Sequence, residues 1–412
     1  MSSVVEIYDL VLRGGRVIDP ANKLDGKYDV AIRNGRIAAV AKELPPHEAR
    51  KVLDVSSSVV APGFIDLHVH SNEWISPLAL NPDDLGVDVG VTTGVNMGDT
   101  GAYTVQAFKH YVAAKAKTHL VCFPAVMNHG INFATCYPHY FHPDTINVKA
   151  SILAAKENPQ LVRGFKVHGD EGCLSHFGTQ SIAKAREICD ETKLPLYMHT
   201  GTLVPIKRDT APDPKKVIDI ILPWLKPGDV LAHPYAFYRD CMIADREEIP
   251  DSLRIALDKG LLLDLGRGHH LSFDIARRMI PKGLIPYTIS SDAHGTYTTD
   301  GTDLVHDDKG LTYSLLGTLS VFLALGLELS DIVARVTINP ARILRMEEEI
   351  GTLGVHTRAD VTIFDLVSEK ITFRDGLKKT LEGTQKMMPR WVIRDGEVIK
   401  CEGRLLRDLH AA

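Results

Sequence analysis

Several common protein classes are excluded by what this sequence lacks. Its six cysteines, at 122, 136, 173, 189, 241 and 401, form no C-x-x-C pair. That removes zinc-ribbon and dithiol redox motifs, and six is sparse for a disulfide scaffold in a chain this long. A reducing compartment, the cytoplasm, is the expectation. No basic run stands out in a chain of net charge −5, so no nucleic-acid partner is expected. The first ten residues carry Glu6 and Asp9 and no long apolar run, which does not read as a signal peptide. The most apolar stretch, 315–329, is broken by Gly317 and Gly326 and interleaved with Thr318 and Ser320. It is too short and mixed to span a bilayer, so no membrane partner is expected. There is no solenoid period and no low-complexity segment.

What is present is ordinary globular composition, 44% apolar and 24% charged over 412 residues, enough for one large domain and a smaller one. The first sixty residues read as strands. Residues 10–19 give two alternating apolar runs around Gly14-Gly15, and 29–38 repeat the plan around Asn34-Gly35, a strong hairpin signal. Arg374-Asp-Gly376 and Arg394-Asp-Gly396 repeat it near the other end. Both termini, 1–60 plus 347–412, therefore read as one composite β-sandwich domain. The middle, 61–346, alternates strand candidates at 63–68, 93–97, 120–126, 162–167, 194–199, 230–233, 261–265 and 286–291 with helical stretches such as 181–192 and 251–259. Eight strands alternating with helices make the fold class α/β, and the count favours a (β/α)8 TIM barrel over an open sheet. No G-x-G-x-x-G follows the first strand, which argues against a dinucleotide site.

In the first barrel strand, His68-Val-His70 places two imidazoles on one side, since residues two apart on a strand point the same way. Imidazole is a preferred ligand of first-row metals, although such a pair alone also fits one packed and one exposed histidine. His199, His233 and Asp292 then fall at the ends of the fifth, sixth and eighth strands. In a β/α barrel those ends form the active-site face, so five ligand-type residues converge on one cavity. Lys166 ends the fourth strand among apolar neighbours. Burial beside positive charge favours its neutral amine, which can add carbon dioxide to form an anionic carbamate able to bridge two ions; the alternative is a lysine snorkelling from the strand end.

The order H-x-H, Lys, His, His, Asp resembles the binuclear branch of the amidohydrolase superfamily, which includes dihydroorotases, hydantoinases and several deacetylases. The resemblance spans nearly the whole chain. Val60-Ala-Pro-Gly-Phe-Ile-Asp-Leu-His-Val-His70 is similar to the family's first-strand motif. Asn339-Pro-Ala-Arg-Ile-Leu344, Gly351-Thr-Leu-Gly354 and Ala359-Asp-Val-Thr-Ile-Phe-Asp365 resemble its exit from the barrel. The resemblance implies two divalent metal ions, with zinc preferred and manganese, iron or cobalt compatible. His68, His70 and Asp292 would hold the more buried ion, His199 and His233 the second, and carboxylated Lys166 would bridge them. A bridging water would act as hydroxide near neutral pH, with Asp292 as catalytic base and acid.

Substrate residues are expected on loops after the strands. The loop 127–139 offers His129, the loop 266–270 offers Arg267 and His269, and the loop 293–297 offers His294. His168 reads as lying beyond the fourth strand and supporting the site at most. The run Leu263-Asp-Leu-Gly-Arg-Gly-His-His270 resembles the deacetylase-like, dihydroorotase-related subgroup. No equivalent of the dihydroorotase carboxylate-binding arginine follows H-x-H, where the chain has Ser71-Asn-Glu-Trp74, and the hydantoinase tyrosine has no clear counterpart. The expected reaction is therefore hydrolysis of an acyclic amide or ester, of N-acyl amino acid or acyloxy acid type, on a small-molecule substrate. A cyclic amidase, a mononuclear deaminase and a non-catalytic scaffold are the alternatives. The family's habit of assembling leaves a homo-oligomer open.

Overall fold

The computed structural model describes residues 7–45, 49–73, 75–76, 79–131, 141–294 and 314–403. The ends of the chain supply one continuous sheet. β1 (Leu10–Asp19), β2 (Leu24–Arg33), β3 (Arg36–Ala41), β4 (Val52–Asp54) and β5 (Val59–Pro62) come from the N-terminal side. In the order of the sheet, β5 separates them from the three late strands, described below as β13 to β15. Asn34 and Gly35, at φ 52° and 70°, make the tight β2–β3 turn, the doubly left-handed turn that asparagine–glycine favours. Gly14-Gly15 does not turn the chain. β1 stays paired with β2 on both sides of it, from Leu10↔Ile32 to Asp19↔Leu24, with the irregularity between Leu12 and Gly15. The two glycines form a bulge rather than the expected hairpin, and Gly15 has no room for a side chain because a Cβ would lie 2.6 Å from Val60 Cγ2.

The barrel begins at β6 (Phe64–Val69) and continues through β7 (Val91–Met97), β8 (His119–Phe123), β9 (Phe165–His168), β10 (Leu196–His199), β11 (Val230–Ala232) and β12 (Leu262–Asp264). β6, β7 and β8 pair in parallel, as do β9 to β12. Parallel bridges Cys122↔Val162 and Ala125↔Lys166 join the two sets. The ring closes through the extended segment 286–293, which bridges β12 at Asp264↔Thr288 and β6 at Val69↔Ala293. This eighth stave was expected as a full strand. It makes isolated bridges instead, because Pro286 has no N–H to donate and Asp292 leaves the β region at φ 49°. This is a (β/α)8 barrel with a terminal β-sheet.

Helices coat the barrel. Gln180–Thr192 buries Ser181, Ile182, Ala185, Ile188 and Cys189, a stripe with helical spacing that faces the strands. Val148–Glu157 starts where the Asn147 side chain accepts from Ala150 N–H, satisfying one of the free donors of its first turn. Among the described residues, no helix is long and apolar enough to cross a membrane. After the barrel, β13 (Val361–Arg374), β14 (Thr380–Arg394) and β15 (Glu397–Lys400) return to the terminal sheet, β13 pairing with β5. Asp395-Gly396 makes the β14–β15 turn at φ 53° and 85°.

Candidate metal centre

Backbone pairing aims the ligand-type side chains. β8 runs on past Pro124, whose carbonyl accepts from Lys166 N–H at 2.9 Å, while Val126 N–H donates to Lys166 O at 2.9 Å. Lys166 is thus gripped on both backbone faces. Its stem passes over Gly98, where a Cβ would lie 2.8 Å from Lys166 Cδ. Its Nζ stands 3.2 Å from His68 Nε2 and donates to Met97 O at 3.2 Å. Asp292 N–H donates to His68 O at 2.8 Å, which ties the end of the eighth stave to the H-x-H strand. Asp292 Oδ1 then lies 3.0 Å from His68 Nε2 and 3.3 Å from His70 Nε2. Across the cavity, His199 Nδ1 and His233 Nε2 are 2.8 Å apart. All six of these residues are buried.

Outer partners set the tautomers. Tyr197 O–H donates to Asp264 at 2.6 Å, so its oxygen accepts from His68 Nδ1 at 2.9 Å. His70 Nδ1 donates to Asp99 at 2.6 Å, and Asp99 is itself held by Asn96 at 2.7 Å. His233 Nδ1 donates to Gly266 O and His199 Nε2 to Gly201 O, each at 2.8 Å. Each ring then turns a lone pair inward. His68 Nε2 faces a carboxylate oxygen, and His199 Nδ1 faces His233 Nε2, acceptor against acceptor. Buried acceptors in such contact are unfavourable unless a cation lies between them, and imidazoles oriented by carboxylate or carbonyl partners are the pattern of metal ligands. The residues present fit divalent ions. Among the described residues, three groupings have donor atoms within 4.8 Å of one another: His68, His70 and Asp292; His233, His270 and Asp292; and His168, Asp170 and His199.

The electrostatics agree. Burial drives His68 and His199 well below the ordinary histidine value and His233 down to about 3, so their nitrogens are free to ligate. Burial also works to lower His70, but Asp99 and Asp292 outweigh it and raise it to about 9; a metal on Nε2 takes the place of that proton. Burial would raise Asp292, yet His68 and hydrogen bonds from His270 and His70 hold it well below the usual carboxylate range. Burial lowers Lys166 to about 8 against the pull of Asp292, Asp99 and Asp264.

The Amidohydrolase family profile matches residues 245–399. A deacetylase of Agrobacterium fabrum is 26% identical over 367 residues, 89% of this chain and 85% of its own. The crystal structure of an adenine deaminase superposes with a TM-score of 0.81 at 26% identity, covering 95% of this chain and all of that one (100%). A dihydroorotase crystal structure gives 0.80 at 25% identity, covering 95% and 97%.

The chain is similar to the amidohydrolase family.

It is a metal-dependent amidohydrolase, an enzyme that hydrolyses carbon–nitrogen bonds, with buried histidine and aspartate groups able to hold the metal. The substrate candidates are spread differently from the metal candidates. His269 and His294 flank the cluster: the His294 ring lies 5.7 Å from His70 and 5.6 Å from His269, and Tyr238 Oη is 3.1 Å from His269 Nε2. Arg267 is buried and donates to Arg374 O at 3.3 Å. His129 is exposed, packs edge-on against Tyr103 at 5.4 Å, and belongs to none of the three groupings. Residues 132–139 and 295–297 of the expected substrate loops, and Trp74, lie outside the described residues.

Sequence reasoning missed four contributors. His270, rather than its neighbour His269, reaches Asp292 Oδ2 at 3.3 Å; two adjacent histidines in one short turn gave no means of choosing. Asp99 and Tyr197 fix the H-x-H rings from other staves. Asp99 follows the second strand on the active-site face and was open to the same strand-end argument as His199. His168 was placed beyond the fourth strand, but it is the last residue of β9 and its ring stacks on His199 at 4.3 Å.

Proposed function

We propose that this amidohydrolase cleaves an acyclic amide or ester, of the N-acyl amino acid or acyloxy acid type, on a small-molecule substrate. The observation that carries the reading is the convergence on Asp292: one carboxylate oxygen toward His68 and His70, the other toward His270, with Lys166 and the His199–His233 pair alongside. Two ions held there, zinc by preference, by His68, His70 and Asp292 and by His199 and His233, would supply Lewis-acid polarisation of a carbonyl and a lowered pKa for water. Lys166 near 8 keeps a working fraction of neutral amine at neutral pH. That amine can add carbon dioxide with loss of one proton, and the resulting carbamate anion would help to hold the two ions. Asp292 would use Oδ1 as ligand and Oδ2, steadied by His270, to take a proton from water and return it to the leaving nitrogen or oxygen. His269 and His294 at the mouth would face the substrate's acid end.

The acyclic choice is supported by the similarity to the Agrobacterium deacetylase and by the residues after H-x-H. Ser71 and Asn72 are fully buried; Asn96 donates to Ser71 Oγ at 3.3 Å and Asn72 N–H donates to Asp99. Through these two bonds the segment braces Asp99, the partner of His70. A panel of N-acetyl amino acids, acyloxy acids, hydantoins, dihydroorotate and adenine tests the reading. Turnover of the acyclic compounds is expected. Turnover confined to the ring compounds would overturn the substrate class. Lys166→Ala should lose bound metal, whereas a mononuclear deaminase would keep its single ion.

A further inference from the structure

His168 and Asp170 are buried at the same cavity and have no role in the chemistry described so far. His168 is two residues from Lys166 on β9, so both side chains leave the same face of the strand. The β9–β10 register pairs His168 with His199, and the two rings stack at 4.3 Å with 29° between planes. Asp170 Oδ2 lies 3.3 Å from His168 Nδ1. The other Asp170 oxygen accepts from Cys173 N–H at 3.0 Å at the start of the helix Glu171–Phe177, so this carboxylate is fixed. It holds the His168 proton on Nδ1 and leaves Nε2 as a lone pair. That Nε2 is buried and, among the described residues, has no hydrogen-bond partner, although the ring is only 4% exposed. Packing against Phe141 at 4.6 Å accounts for a ring face but satisfies no nitrogen. An orphaned buried acceptor is costly, and carboxylate-supported imidazole with a free second nitrogen is how histidine is prepared for a metal.

We infer that His168 is a further ligand of the ion held by His199 and His233, offering Nε2 while Asp170 supports Nδ1. The inference rests on the two-metal reading above and extends it by a donor from the fourth stave. A third neutral imidazole strengthens the second site and turns it toward zinc, cobalt or nickel and away from magnesium or calcium.

The test uses the full-length protein, stripped by chelator and titrated with zinc or cobalt(II). Two ions per chain are expected for the wild type. His168→Ala should hold the second ion roughly 100-fold more weakly or lose it, with a changed cobalt visible spectrum. Asp170→Asn should weaken it about 10–100-fold. Wild-type affinity and spectrum in both variants would overturn the inference, even if activity fell, because His168 and Asp170 would then be a proton-transfer pair. A wild type that binds no ion would overturn the two-metal reading itself. Should the alanine variant fail to fold, cobalt-loaded wild type decides by its hyperfine-shifted ring N–H signals. Five are expected, one each from His68, His70, His168, His199 and His233, and the absence of a signal from His168 would overturn the inference.

Discussion

Two glycines bear on the centre as directly as its proposed ligands do. A Cβ on Gly266 would lie 2.6 Å from His233 Nδ1 and Cε1, and a Cβ on Gly268 would overlap Asp292 Oδ2. Both have left-handed backbones, at φ 46° and 40°. Only glycine adopts that region without strain and also leaves the space empty. The proposed ligands they border, His233 and Asp292, are themselves left-handed at φ 65° and 49°, which costs of order 1–3 kcal/mol each and is found where a site over-determines its geometry. Gly268→Ala should therefore shift Asp292 by a fraction of an ångström. We expect kcat/KM to fall about 100-fold, as for comparable misplacements of a reacting group, with circular dichroism unchanged. Activity within a factor of two of wild type would show that Asp292 does not need this position. The Gly-Arg-Gly run was visible in the sequence as part of the loop after the seventh strand. Its role, clearance for His233 and Asp292 from other staves, depends on distances that no spacing rule contains.

One element of the terminal sheet reaches the active-site face. The tip of the β13–β14 hairpin docks on the loop carrying Arg267, His269 and His270. Gly376 N–H donates to Leu271 O at 2.9 Å, and Asp375 accepts from Phe273 N–H at 2.8 Å and from Leu377 and Lys379 N–H at 2.9 Å each. Asp375 is buried, and Lys379 pairs with Asp274 across the joint. Removing one carboxylate leaves three backbone donors short, at about 1–3 kcal/mol for the buried ones. Asp375→Ala should raise KM several-fold and speed amide exchange across 267–275, with metal content retained. Unchanged exchange there would show that the loop is held without the hairpin. The hairpin itself was legible from Arg374-Asp-Gly376, and its docking was not, because the contact joins residues about a hundred positions apart. The same division runs through the site. Strand ends and residue parity in the sequence point His68, His70, Lys166, His199, His233 and Asp292 to one face. Tyr197 and His270 act across staves, so their roles appear only once the ring is closed.

At the scale of the whole molecule, the barrel's other end meets the terminal sheet through charge. His119 opens β8 and its Nδ1 accepts from Arg358 at 3.2 Å. Arg358 Nε donates to Asp360 at 2.7 Å, and Arg394 joins the same carboxylate at 3.4 Å. Asp360 O in turn accepts from Gly63 N–H at 2.8 Å, just before β6. This joint links the barrel's entry strands to the returning chain. Burial, then Arg358, Arg394 and Arg163, push His119 down to about 3 from an ordinary 6.5. The sign follows from linkage. Between about 6.5 and 3 the unfolded chain binds a proton that the folded chain refuses, so this group's contribution is complete above 6.5 and is lost as pH falls through that window, at no more than about 1.4 kcal/mol per pH unit. His119→Gln keeps an acceptor for Arg358 and removes the titration. Its urea midpoint should fall less steeply than the wild-type midpoint between pH 7 and pH 4.5, with the difference largest at the acid end. Parallel profiles would mean that His119 takes up its proton without breaking the joint. The site's own histidines would add to any acid sensitivity in metal-free protein, so the comparison belongs in the zinc-loaded enzyme, where a residual difference between the two profiles reports the joint alone.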